Sequence, residues 1–240
     1  IQNGDGLYVG SSNYTITENI VYNNNDVGIE IRSLTSGLMV KWNDFIGNEL
    51  VLDSQAYDEG YHNTYSQNYW DDWTCPDDDA DGIVDNPYPF VGDASPLTAP
   101  HNDIPVNLHL LSRPRLLYPT GGEQLKGTIT VKWCSVTDFS GHSVTYTLYY
   151  SDKSNGPWEE LYTELTTPEY EWDSTSIEHD WDSYLKVVAE CSEGEISEYS
   201  LFDSFDIDNT KASRTHGWSF TILALTLCLL AFAARRKKRK

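Results

Sequence analysis

Methionine is nearly absent. Met39 is the only one in 240 residues, and the chain opens on Ile1. Residues 1–240 are therefore expected to be the C-terminal part of a longer protein, with any export signal upstream. Cationic side chains are scarce. There are 16 Lys and Arg against 37 Asp and Glu, and six of the 16 are residues 235–240. That leaves ten basic groups against 37 acidic ones in residues 1–234, a formal charge of −27. Such a field repels phosphate backbones and excludes nucleic acid as a partner. Cysteine is sparse as well: Cys75, Cys134, Cys191 and Cys228 form no Cys-x-x-Cys pair and no Cys/His spacing of a zinc site. Copper needs clustered His, Met or thiolate, whereas His62, His101, His109, His142, His179 and His216 are scattered along the chain.

Charge is missing altogether from one stretch. "GWSFTILALTLCLLAFAA" (217–234) carries none and is followed by "RRKKRK". A run of about 17–25 apolar residues spans a bilayer. A transmembrane helix is expected over 218–234, with the basic tail 235–240 cytoplasmic and Trp218 at the opposite interface. The tail also resembles prokaryotic C-terminal sorting signals, in which an apolar helix with a basic end is processed. Residues 210–217 read as a stalk, and everything before them is expected outside the membrane, where disulfides persist.

What is present begins with a weak repeat. "GLYV" (6–9) recurs as "GIEI" (28–31) and "ELVL" (49–52), spaced 22 and 21 residues apart. Between them lie "YTITENIVYNN" (14–24), "LMVKWNDFIGN" (38–48) and "YHNTYSQNYW" (61–70). Short period-two strands with Asn- or Gly-rich turns at a period in the low twenties predict a stacked solenoid. Each unit is too small to bury its own face. Asn at the turns tolerates left-handed backbone and can hydrogen-bond to the next unit.

Five aspartates then fall within nine residues, 77–85. Asp77, Asp79, Asp81, Gly82 and Asp85 follow D-x-D-x-D-G-x-x-D, the first nine positions of a calcium loop. Alternation lets carboxylates converge, Gly82 allows the turn, and the Ile83 carbonyl fills the seventh position. The twelfth is Tyr88, so the bidentate Glu of an EF-hand is missing, and Asp71 or Asp72 is a candidate replacement. Hard oxygen ligands select Ca²⁺ over copper or zinc. The expected role is structural: a solenoid end exposes strand edges and apolar side chains, and Tyr69, Trp70 and Trp73 would lie over the last unit as a cap.

The repeats followed by "QNYWDDWTCPDDDADGIVDNPYPF" (67–90) resemble the C-terminal end of NosD-like right-handed parallel β-helix proteins. Asn68, Tyr69 and Trp70, the Asp-rich loop, and Pro87 with Tyr88 carry the resemblance. It implies a parallel β-helix and cap over 1–92. Relatives include surface proteins of unassigned role, and the family name comes from a periplasmic protein tied to copper-enzyme maturation. Residues 93–112, with three prolines and no periodicity, read as a linker. Seven strand-like segments follow in 113–209: 115–119, 128–134, 144–151, 158–164, 169–173, 184–191 and 204–208. They predict a β-sandwich. Trp133, "TYTLYYS", "YEWD" and "YLKVVAE" are similar to fibronectin type III or immunoglobulin-like modules of prokaryotic surface proteins. The immunoglobulin bridge joins strands equivalent to those ended by Cys134 and Cys191, which makes that pair the expected disulfide. Alternation after inward Trp133 points Cys134 outward, against it.

The expected architecture is thus all-β: β-helix end, sandwich, one membrane helix. Asp44, Asp53, Asp58 and Glu59, with Arg32 and Lys41, are the acids and cations available for lyase or hydrolase chemistry, but their spacing defines no pair on one face. Tyr8, Tyr14, Tyr22, Trp42, Tyr57, Tyr61 and Tyr65 are available to stack on sugars. Asn13-Tyr14-Thr15 is a glycosylation sequon. The function expected is non-catalytic recognition, adhesion or envelope scaffolding at a prokaryotic cell surface, of glycans or surface proteins. The alternatives are the C-terminal part of a carbohydrate-active enzyme whose catalytic coils lie upstream, and a NosD-like copper-handling accessory protein.

Overall fold

The computed structural model describes residues 6–48, 54–201 and 203–210. The expected membrane helix 218–234, the basic tail 235–240, the stalk after Thr210, the segment 49–52, Asp53 and Cys228 lie outside the described residues. Among the described residues no helix is long and apolar enough to cross a membrane.

The first part is wound from three successive passes of chain, each contributing three short strands. The first pass supplies β1 (Leu7–Val9), β2 (Thr15–Thr17) and β3 (Ile20–Tyr22). The second supplies β4 (Ile29–Ile31), β5 (Met39–Lys41) and β6 (Asp44–Ile46), and the third β7 (Ala56–Asp58), β8 (Thr64–Ser66) and β9 (Tyr69–Trp70). Equivalent strands pair in parallel, giving three three-stranded sheets: β1-β4-β7, β2-β5-β8 and β3-β6-β9. Left-handed residues punctuate the turns at matching places, as in Asn13, Gly37 and His62 (φ 64°, 68° and 55°) and Glu18, Trp42 and Gln67 (φ 58°, 57° and 57°). These recur every 24 or 25 residues. The third strand of the first sheet is Ala56–Asp58, where Ala56 pairs with Ile29, 27 positions before it.

Alternation puts Val9, Ile29, Ile31, Val21, Val40, Phe45, Ala56, Tyr65 and Trp70 between the sheets. Phe45 stacks on Trp70 (4.4 Å between centroids) and Trp70 on Tyr88 (4.3 Å, 1° between planes), a column that runs out of the last pass into the cap. Tyr88 is thus the covering ring. Trp73 meets it edge-on at 6.0 Å, whereas Tyr69 points to the other face of its sheet, away from the expected cap position.

Two amide ladders tie the passes together. Asn19 Nδ2 donates to Asn43 Oδ1 (2.9 Å), Asn43 Nδ2 to Asn68 Oδ1 (3.0 Å), and Asn68 Nδ2 to Asp93 Oδ2 (2.9 Å). In the second, Asn24 donates to Asn48, Asn48 to Gln55, and Gln55 to both Asp71 and Asp72. The first ladder ends on the carboxylate of Asp93 and the second on the buried carboxyl groups of Asp71 and Asp72, whose oxygens accept.

Residues 93–112 are packed and do not form a free linker. Asp93, Leu110, Leu111 and Ser112 are buried, and Leu97, Ile104, Leu108 and Leu110 lie against Ile46, Tyr69 and Phe139, covering the outer face of β3-β6-β9. Apolar residues without period seal that face, helped by a 3-10 turn at Val106–Leu108.

The second part is β-sandwich-like. Strands β10 (Leu116–Tyr118), β11 (Gln124–Leu125), β12 (Thr128–Trp133), β13 (Val144–Ser151), β14 (Glu159–Leu165), β15 (Glu169–Asp173), β16 (His179–Cys191), β17 (Ile196–Ser200) and β18 (Phe205–Asp208) form two sheets. One is β10-β12-β15. The other is β11-β18-β16-β13-β14, with β17 on β16. Ile129, Val131, Trp133, Leu148, Leu185, Val187 and Phe205 fill the space between them. β17 was not expected, since it is polar and Ile196 is 61% exposed; its pairing with β16 makes it a strand.

The expected Cys134–Cys191 bridge is replaced by Cys75–Cys134, with Cα atoms 5.9 Å apart. Trp133 and Cys191 share the sandwich core, and Cys134, the first residue after β12, faces the opposite way, toward Cys75. Cys191 is a buried free thiol. Arg113 and Arg115 reinforce this joint: Arg113 donates to the Asn48 carbonyl, and Arg115 to that of Cys75 while lying 3.7 Å over the Trp73 ring. Residues up to Asp208 form one compact unit; Asn209 and Thr210 begin the remainder.

Candidate functional site

Two surfaces bear on function: the acidic loop and the outer face of β1-β4-β7. In the loop, carboxylate oxygens of Asp77, Asp79 and Asp85 lie within 4.8 Å of one another. Asp81 is not in that group. Its Oδ1 accepts from Ile83 N (2.8 Å), while its own N–H donates toward Asp77 (3.1 Å) and Asp79 (3.3 Å). Asp77 also accepts from Gly82 N, and Asp85 from Asp78 N. Backbone N–H groups therefore curl the loop and hold three carboxylates together at the surface, where like charges would otherwise spread them. Ile83 bridges Leu97 in antiparallel fashion, with Gly82 O and Val84 N bonding across to Thr98 and Pro96. In that pattern the carbonyl of Ile83 itself turns away from the partner strand.

Asp71 and Asp72 do not join this set. They are buried at the end of the second ladder with Gln55, Tyr88 and Arg113. Burial pushes both carboxyls up, Asp71 to about 7, against the opposing pull of Arg113.

The outer face of the first sheet is in register across all three passes. Tyr8 pairs with Glu30, and Glu30 with Tyr57, so the three side chains project side by side. Tyr8 is 50% and Tyr57 39% exposed. Arg32 lies 5.0 Å over the Tyr8 ring, and Tyr57 donates to Glu59 (2.8 Å), whose carboxylate holds the phenol above its ordinary range. Tyr61, 53% exposed, follows within the same pass.

The other candidates sort clearly. Tyr14 is exposed, Tyr65 is core, and Tyr22 is half-buried under the cover segment. Trp42 donates to Gln67, lies under Lys41 and stacks with His101. Asp44 is buried and accepts from His101 N, Asn102 N and Asn102 Nδ2; burial raises its pKa despite those bonds. Asp58 is tied to Gly60, Asn63 and Tyr65. Asn13 is exposed in a left-handed turn. The residue that sequence reasoning missed is Asp93. Its only signal was spacing, for it stands 25 positions after Asn68, as Asn68 does after Asn43.

No protein-family model matches the chain, and no curated protein matches it. Among solved structures it is similar to an Fn3-like protein from Clostridium thermocellum, 18% identical over 43% of this chain and 100% of that one, with a TM-score of 0.27. The resemblance to NosD-like proteins rests on the residues quoted above.

Proposed function

We propose that residues 1–92, with 93–112 as their cover, are the final coils of a right-handed parallel β-helix. The β-helix is carried at a prokaryotic cell surface by the fibronectin type III-like sandwich and the 218–234 anchor. It recognises glycans without transforming them. The observation that carries this reading is the exposed ladder Tyr8–Glu30–Tyr57, flanked by Arg32 and Glu59. Flat aromatic faces take the C–H faces of sugars, and the neighbouring carboxylates and guanidinium suit hydroxyls. Parallel strands lie about 4.8 Å apart, which separates the two tyrosines by about 10 Å, room for a short oligosaccharide laid across the strands. Two carboxylates on the face, in a chain of formal charge −21, favour neutral glycans over polyanionic ones. The Cys75–Cys134 bridge fits an oxidising exterior. Calcium at Asp77, Asp79 and Asp85, aided by the Ile83 carbonyl, would neutralise the loop and pin it beside the cap.

The test is a panel of neutral and acidic oligosaccharides, titrated into the full chain in detergent and read by NMR or calorimetry. A neutral glycan is expected to bind and to lose at least about tenfold in affinity in Tyr8→Ala/Tyr57→Ala, the loss of two stacking contacts. Undiminished binding in the double variant would refute this face as the site. A panel without a binder would refute the reading.

A further inference from the structure

Outside both surfaces, three chain segments converge where the sandwich meets the cover of the coils. The turn between β12 and β13 brings Asp138 and His142 together, with His142 Nδ1 3.1 Å from Asp138 Oδ2. Cys191 ends β16 opposite Val144, at the start of β13, which brings its thiol to the same carboxylate. One ligand atom from each of Asp138, His142 and Cys191 lies within 4.8 Å of the other two. From the cover segment, the ring of His109 lies parallel to that of His142, with centroids 6.2 Å apart. The Leu111–Asp138 bridge and the bond from Phe139 N to Leu110 O hold that segment against the turn.

We propose that Asp138, His142 and Cys191 bind a borderline divalent metal ion of the zinc class, with His109 or a water molecule as the fourth ligand. The chemistry of the set selects the ion: thiolate and imidazole with one carboxylate disfavour calcium and magnesium and suit zinc. Bonds of about 2.0–2.3 Å at tetrahedral angles place ligand atoms about 3.3–3.8 Å apart, so the observed cluster has to close by about 1 Å on the ion. The surroundings are also those of a structural site. The Asp138 side chain is 3% exposed and that of His142 29%. Asp138 Oδ1 is held by Ser140 N, which orients the carboxylate so that Oδ2, the oxygen facing His142, is the one an ion between the two would take.

The consequence is mechanical. Phe139, inside the same turn, packs edge-on against Tyr69 of the coils at 6.1 Å, and Ser140 Oγ donates to the Val106 carbonyl. With His109 as the fourth ligand, a metal on Asp138 and His142 would staple the sandwich to the cover segment.

Cobalt(II) is the probe. The full chain, carrying Cys228→Ser so that Cys191 is the sole thiol outside the disulfide, is titrated with cobalt in detergent and excess calcium. Expected are one equivalent bound, a thiolate-to-cobalt charge-transfer band, strong visible bands of a tetrahedral site, and loss of both on adding zinc. Cys191→Ser should abolish the charge-transfer band. His142→Ala, a change in a surface turn, should weaken binding at least about tenfold. Failure to form the band, or a band that persists in Cys191→Ser, overturns the proposal. Should Cys191→Ser fail to fold, an unchanged cobalt affinity in His142→Ala overturns it alone.

Discussion

Asp93→Asn changes one atom and almost no volume, yet it strikes the end of the main amide ladder. Oδ1 of Asp93 accepts from Gln67 N and Ser95 N, both at 3.1 Å. Oδ2 accepts from Asn68 N (3.0 Å), Asn68 Nδ2 (2.9 Å) and Trp70 Nε1 (3.3 Å). All five partners are donors. An asparagine has one acceptor oxygen, and its best placement is toward the three donors on the Oδ2 side. Its NH₂ then faces two N–H groups. Each stranded donor costs about 1–3 kcal/mol when buried, and the half-buried positions of Gln67 and Ser95 favour the lower half of that range. Loss of the carboxylate's charge adds to this, since charge-assisted bonds are the stronger ones. The expected destabilisation is about 2–4 kcal/mol, which lowers Tm by roughly 4–16 °C in a unit of this size. Urea unfolding followed by tryptophan fluorescence measures it. Asp103→Asn, an exposed position in the same segment, removes the same charge and should stay within about 0.5 kcal/mol of the parent. An Asp93→Asn protein as stable as the Asp103→Asn control would refute the ladder-end account.

The buried acids predict an unusual pH dependence. Burial raises the carboxyls of Asp71 (to about 7), Asp72 and Asp44, so the native state holds their protons more tightly than the unfolded chain does. Stability should therefore grow as pH falls from about 7 toward about 5 and be lost on the way back up. Asp71→Asn should flatten that slope, and a parent protein that weakens steadily over the same descent would contradict the assignment. Calcium at millimolar concentration should raise the melting midpoint of the parent and leave Asp79→Ala/Asp85→Ala unmoved; equal behaviour of the two proteins would remove the loop as a calcium site. Cys75→Ser opens a loop closed across a sequence separation of 59 residues, and equilibrium unfolding should register a loss of about 4 kcal/mol.

What could be read from the sequence was local. Short alternating triplets and left-handed turn residues announced the stacked passes, and the long alternating strands around Trp133 and Val187 announced the sandwich. Misplacements came where a long-range partner decides. The 22- and 21-residue spacings of the repeat do not lead to Ala56–Asp58, which only its pairing with Ile29, 27 positions before Ala56, reveals as a strand of the first sheet. Residues 93–112 lack period because irregular chain buries Leu97, Ile104, Leu108 and Leu110 one at a time. The parity that turned Cys134 away from Cys191 was visible, whereas its partner Cys75 depends on how the cap meets the sandwich.

The acidic excess near residues 71–93 likewise divides by depth. The carboxylates of Asp77, Asp79 and Asp85 crowd together at the surface. Asp71, Asp72 and Asp93 are buried and do something else. A ladder of primary amides has a direction, since each NH₂ donates forward to the next amide oxygen, and the last donor must meet an acceptor that need not donate onward. The main ladder runs through Asn19, Asn43 and Asn68 and reaches its acceptor at Asp93, in steps of 24, 25 and 25 residues. The second steps from Asn24 to Asn48, and 24 residues later stands Asp72, reached through Gln55. An aspartate in phase with preceding asparagines marks where such a stack stops. The end of this one was therefore encoded twice, once on each ladder, in residues that composition alone would assign to the solvent.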